Sequence, residues 1–130
     1  MERVLGIGGV FFKAKDPAAL AEWYRKHLGI DVQPWGGFAF RASAAHGPNH
    51  DVTVWSLFPA TSKYFDPSRE PFMVNYRVRD LDALLAALRA EGCAVDERVE
   101  SSEYGRFGWV MDPEGHRIEL WQPPSGAMPG

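Results

Sequence analysis

The chain repeats its own layout, and this limits its architecture more than any other feature. FFKAKDPAALAEWYRKHLG (Phe11 to Gly29) and NYRVRDLDALLAALRAEG (Asn75 to Gly92) each run from an alternating apolar strand through an Asp into a helical stretch that ends at Gly. Repeats of this kind fold as equivalent units, each with a face it has to bury. Asp16 and Asp80 are placed to accept the free amide hydrogens of a first helical turn, and Pro17 suits the position after such a cap. Gly29 and Gly92 are placed to end the helices. Helix one, about 16 to 28, aligns Leu20, Trp23, Tyr24 and Leu28, and helix two, about 80 to 91, aligns Leu81, Leu84, Leu85 and Leu88.

Three strand-like runs follow each helix, at roughly 30–34, 37–43 and 51–58, then roughly 94–99, 105–111 and 117–122. The order β, α, β, β, β therefore occurs twice. PATSKYFDPSREP (Pro59 to Pro71), rich in turn formers, joins the copies. The fold class expected is α+β: one domain over residues 1–130, with module one at about 4–58, a linker at about 59–70 and module two at about 71–123. A helix covers one face of its four-stranded sheet, so the two other faces curl together into a curved mixed-sheet cup with the helices outside.

With 130 residues, 45% hydrophobic and 24% charged, the chain has enough apolar material for one core. The longest apolar run, VLGIGGVFF (Val4 to Phe12), superficially resembles the core of a short signal peptide. Its counterpart later in the chain identifies it as a strand, and it is too short to span a membrane. A formal charge of -3 with scattered Lys and Arg supplies no field for phosphate backbones or anionic lipid, so neither nucleic acid nor membrane is expected as a partner. The one cysteine, Cys93, leaves no internal disulfide and no cysteine-built zinc site, and cytoplasm is the default compartment. Cys93 itself, after Gly92 at a strand entrance, reads as a small buried hydrophobe.

Near the C-terminus, DPEGHRIELWQP (Asp112 to Pro123) sets a tight turn before an Ile-Glu-Leu strand. Together with the doubled βαβββ units, this motif resembles the vicinal oxygen chelate superfamily of glyoxalase I, bleomycin-resistance proteins, methylmalonyl-CoA epimerase, fosfomycin-resistance enzymes and extradiol dioxygenases. The resemblance covers about residues 4–124 and does not select among those activities. It implies four metal-ligand positions lining the cup, which fall here on Gly9, Ser56, Met73 and Glu119. Divalent ions of this kind are held by several imidazole nitrogens and carboxylate oxygens at about 2.0–2.2 Å. Three of the four positions are non-ligating: glycine offers no side chain, serine is a weak neutral donor, and a thioether suits soft ions. No cofactor is therefore expected, and Glu119 is the metal position if there is one. His46 and His50 are the nearest substitutes by residue type, but Gly47 and Pro48 between them argue for a loop. His27, in the last turn of helix one, and His116, in the turn before the Glu119 strand, read as structural residues.

Strand alternation gives the cup lining independently of the resemblance. Val10, Phe12 and Ala14 should face helix one; Val74, Tyr76 and Val78 should face helix two. The opposite faces carry Gly9, Phe11 and Lys13, then Met73, Asn75 and Arg77, and in the last strand Arg117, Glu119 and Trp121. A turn centred on Glu114 pairs Trp109 with Glu119 and Phe107 with Trp121. The ligand-binding set expected is Phe11, Lys13, Ser56, Met73, Asn75, Arg77, Trp109 and Trp121. Glu119 is the catalytic candidate, as a general base or as an orienting acceptor that needs a partner such as Arg77 or Lys13. An apolar wall with few polar groups suits a small organic ligand, which resembles the bleomycin-resistance mode of binding. The alternatives are a metal-dependent glyoxalase-like lyase, isomerase or epimerase, and a dimeric interaction module with a filled cup. The resemblance also implies a homodimer.

Overall fold

The computed structural model describes residues 3–41 and 52–126. At its centre β1 (Gly6–Ala14) and β4 (Phe72–Arg77) run antiparallel, with Val10 opposite Val74 and Phe11 opposite Met73. Each central strand has a parallel neighbour on its other side: β3 (Val52–Pro59) beside β1, and β8 (Arg117–Gln122) beside β4. Beyond these lie β2 (Gly37–Arg41) on one flank, and β7 (Gly105–Met111) with β5 (Ala94–Val95) and β6 (Glu100–Ser102) on the other. The result is one curved, mixed sheet of eight strands, and the repeat in the sequence is its internal symmetry. Phe11 stands beside Ser56 as Asn75 stands beside Glu119.

The helices form where the caps direct them. In α1 (Pro17–Leu28) the Asp16 carboxylate accepts from the Ala19 N–H at 3.1 Å, and in α2 (Leu81–Ala90) Asp80 accepts from Ala83 at 3.1 Å. Gly29 ends α1 at φ +68°, a conformation that costs glycine nothing. On the convex side α2 buries Leu81, Leu84 and Leu85 against Val78, Val110 and Leu120. Under α1, Ala14, Ala21, Val32 and Leu57 make a smaller cluster. A third cluster of Phe11, Phe65, Met73 and Trp109 lies on the concave side.

Several expectations need correcting. Residues 30–34 are not a strand. Val32 spends its N–H on Ile30 and its carbonyl on both Nε and Nη2 of Arg25 (3.1 and 2.6 Å), while Gln33 and Gly36 close a tight turn. Pro34 has no N–H to offer a ladder. With those groups used locally, no edge remains to pair. Cys93 is exposed, because its N–H closes the end of α2 on Leu88 and leaves the thiol outside the core. Trp23 and Leu28, expected on the buried stripe of α1, are 50% and 60% exposed, and Val10 is also exposed on the convex face. The linker is more than a tether: its Phe65 is fully buried in the concave cluster.

Candidate functional site

Glu119 sits at the inner end of the concave face, 1% exposed. Alternation along β8 turns it inward, and the turn at Asp112–Gly115 sets the register that places Trp109 directly opposite, as the motif indicated; Phe107 faces Trp121 in the same ladder. Three neutral donors hold the carboxylate. Oε1 accepts from the Tyr64 hydroxyl and from Trp109 Nε1 at 3.1 Å, and Oε2 accepts from Asn75 Nδ2 at 2.6 Å. Burial pushes the Glu119 carboxyl above its ordinary range, against the opposing pull of these hydrogen bonds and of Arg117. Burial likewise drives the Tyr64 hydroxyl upward, reinforced by the neighbouring Glu119 charge.

The expected charged partners lie elsewhere. Arg77 donates to the backbone carbonyls of Ile7 (2.6 Å) and Val52 (2.5 Å), and Lys13 lies over the Phe65 ring at 5.4 Å. Satisfying main-chain acceptors of β1 and β3 keeps Arg77 away from the cup floor. The cation near Glu119 is instead Arg117, stacked 4.6 Å from the Trp109 ring centroid, bonded to the Tyr64 carbonyl and 3.5 Å from Asp96. Arg117 was expected to face the cup; it braces the floor from behind the indole.

In front of Glu119 opens a cavity of about 480 Å³. Phe107 and Trp121 form one wall, their rings 5° from parallel at 6.2 Å, and Phe58 and Tyr64 form a second stacked pair, 17° from parallel at 5.5 Å. Phe11 and Val54 contribute further apolar surface, and Trp35, Arg41 and Tyr104, all exposed, form the rim. Of the residues expected in the site, Phe11, Asn75, Glu119 and Trp121 line this cavity. Trp109, Met73 and Ser56 lie behind the wall: Trp109 supports Glu119, Met73 is fully buried in the concave cluster, and the Ser56 hydroxyl turns to the Leu57 carbonyl. Lys13 and Arg77 do not line it.

Sequence reasoning missed Gly8 and Phe58, and it did not place Tyr64, a residue able to do chemistry, in the cup or beside Glu119. Gly8 enters through a register shift between Ile7 and Gly9, an irregularity that strict alternation cannot anticipate. A Cβ there would lie 2.2 Å from Asn75 Oδ1 and 2.9 Å from the Trp121 ring, so only glycine fits. Tyr64 belongs to the linker. Its one sequence signal is an aromatic pair, Tyr64-Phe65, in an otherwise polar, turn-forming segment.

The donor set at the superfamily's four positions does not suit a divalent metal. Gly9 has no side chain, Ser56 is committed to a carbonyl, and Met73 packs among aromatic rings. Among the described residues no group of three or more His, Cys, Asp or Glu side chains converges. His46 and His50 lie outside the described residues. No helix among the described residues is long and apolar enough to cross a membrane.

One mixed sheet built from two related strand–helix–strand halves, its concave face enclosing an aromatic cavity around Glu119, defines a protein of the vicinal oxygen chelate class. The family profile of the Glyoxalase-like domain matches residues 9–121, and the chain belongs to that family. A search of curated proteins finds no match. Among solved structures, a variant of Streptomyces coelicolor methylmalonyl-CoA epimerase bound to 2-nitronate-propionyl-CoA is 19% identical, with TM-score 0.69 over 97% of this chain and 99% of that one. The Mycobacterium tuberculosis methylmalonyl-CoA epimerase is 21% identical, with TM-score 0.62 over 95% and 91%. A glyoxalase/bleomycin resistance protein/dioxygenase superfamily member from Vibrio splendidus is 13% identical, with TM-score 0.59 over 89% and 97%. At these identities the likeness concerns the fold.

Proposed function

We propose that the protein binds a small planar organic molecule in its concave cavity, without a metal at the superfamily's ligand positions. The observation that carries this reading is the pair of stacked aromatic walls, Phe107–Trp121 and Phe58–Tyr64, around a cavity of about 480 Å³ with a single carboxylate at its floor. Apolar area supplies affinity in such a site, and the polar floor sets orientation. This resembles the sequestering mode of bleomycin-resistance proteins more than the metal chemistry of the glyoxalases. Trp109 and Trp121 are both buried, as a filled cup would require, but the open cavity beside Trp121 favours a ligand over a closed core.

A second reading is a glyoxalase-like lyase, isomerase or epimerase, with Glu119 abstracting a proton next to a carbonyl. It draws on the raised carboxyl of Glu119 and on the likeness to the methylmalonyl-CoA epimerases. Calorimetric titration with bicyclic aromatic compounds, run beside elemental analysis of protein purified without added metal, separates the two. Saturable binding with no stoichiometric metal supports the binding reading. One divalent ion per chain, lost in Glu119→Ala, overturns it in favour of the second.

A further inference from the structure

The cavity carries opposite charges at its two ends and aromatic rings between them. Of the residues that line it, two are charged: Glu119 at the inner end, 1% exposed, and Arg41 at the mouth, exposed. The backbone fixes Arg41 on this side of the sheet. In the β2–β3 ladder Ala39 stands opposite Val54, which lines the cavity, and Arg41, two residues further along the strand, shares that face. The inner end is closed by comparison. Glu119 is held by Tyr64, Trp109 and Asn75, and Asn75 is itself only 2% exposed, so little polar surface is left for the inner end of a ligand.

This arrangement discriminates by charge. An anionic group pushed inward would be desolvated with no counter-charge and would face the Glu119 carboxylate. At the mouth the same group stays hydrated and meets a guanidinium, whose planar fork matches a carboxylate. Arg41 already engages a neighbour, and a guanidinium carries five N–H donors, so one partner does not exhaust it. A cation fares worse, because Arg41 stands at the entrance and the only carboxylate of the lining is buried behind its donors.

We infer that the cavity selects planar aromatic monoanions that enter ring first and leave their carboxylate at the mouth on Arg41. The inference rests on the reading that the cavity holds a planar molecule, and it adds the charge of that molecule and its direction of entry. Arg41 is then a specificity residue, supplied by module one at the opposite end of the cavity from Glu119 of module two.

The test compares three probes built on one bicyclic ring: β-naphthoate, the neutral β-naphthamide of the same shape, and a naphthalene dicarboxylate with its two groups at opposite ends. Titrations of the full chain at low ionic strength are followed by calorimetry. The naphthoate should bind about fivefold more tightly than the amide, the upper range for one exposed ion pair. The dicarboxylate, which cannot enter without bringing a charge to the floor, should bind at least about tenfold more weakly than the naphthoate. In Arg41→Gln, and in wild-type protein at about 1 M salt, the preference for naphthoate over amide should fall to within about twofold. Equal affinity for naphthoate and amide, a preference that survives in Arg41→Gln, or a dicarboxylate that binds as well as the naphthoate overturns the inference and leaves the ligand cavity standing. Binding of none of the three overturns the cavity reading itself.

Discussion

The two halves of the molecule share one plan and use it differently. In module two, β8 carries Glu119 beside Asn75; in module one the same place in β3 holds Ser56 beside Phe11, and its hydroxyl turns back to a neighbouring carbonyl. Module two therefore supplies the polar floor of the cup, while Phe11, Val54 and Phe58 of module one supply apolar wall. The outer faces differ as well. The leucines of α2 are buried in a continuous cluster, whereas α1 buries only Ala21 and leaves Trp23 and Leu28 exposed. Duplication supplied the scaffold, and divergence assigned chemistry to one half and shape to the other.

This asymmetry can be broken at specific positions. The largest effect should come from Glu119→Ala, which strands two buried donors and the half-buried Tyr64 hydroxyl and should cost about 4 kcal/mol of stability, at roughly 1–3 kcal/mol per unsatisfied group with partial relaxation. The matching change in module one, Ser56→Ala, should cost under about 1 kcal/mol, since its one weak hydrogen bond is to an adjacent carbonyl. Denaturant unfolding measures both, and equal losses would erase the proposed division of labour.

Next in size is the contrast between the helices. Leu85→Ala on α2 should lose about 3 kcal/mol, the usual cost of emptying a leucine site in a packed core, whereas Trp23→Ala on α1 should change stability by about 0.5 kcal/mol. Gly8→Ala should cost about 2 kcal/mol by overpacking, because the new methyl overlaps Asn75 Oδ1 and the Trp121 ring. It should also weaken binding of planar ligands, as titration of the refolded variant would show.

The smallest effect is a pH dependence. The Glu119 carboxyl titrates above its unfolded value of 4.5. Between that value and the raised folded one, the native state holds a proton that the unfolded state has lost. Stability therefore falls as pH rises through that window and levels off above it. Asp112, lowered by the His116 backbone N–H and then by its ring, acts in the opposite sense at lower pH: its contribution is present above 3.8 and is lost as pH falls through the folded value. Glu119→Gln should flatten the upper limb and leave the lower one. An unchanged upper limb would mean that Glu119 is not the group responsible.

The sequence was most informative where local rules and periodicity agreed. The repeat, both Asp caps, the Gly29 stop and the hairpin register pairing Trp109 with Glu119 were all legible, because each depends on near neighbours or on strict alternation. Residues 30–34 misled because their strand-like composition is overruled by a side-chain contact from Arg25, on the preceding helix, to the Val32 carbonyl. In the site, alternation placed Phe11, Asn75, Glu119 and Trp121 on the correct face, but it could not tell a wall residue from one a layer behind it. Nor could it show that a linker tyrosine partners Glu119 where Arg77 or Lys13 was expected, since that contact joins residues 55 positions apart.

The central claim is that the concave cavity receives a planar organic molecule on a floor made by module two. It is tested most directly by the indole N–H resonances of Trp121, which lines the cavity, and Trp23, which lies on the outside of α1, during titration with indole. The account predicts a saturable shift of the Trp121 signal with Trp23 unmoved, and loss of saturable binding in Trp121→Ala. A Trp121 signal that stays in place at ligand saturation of the solution, or shifts no different from those of Trp23, would contradict it.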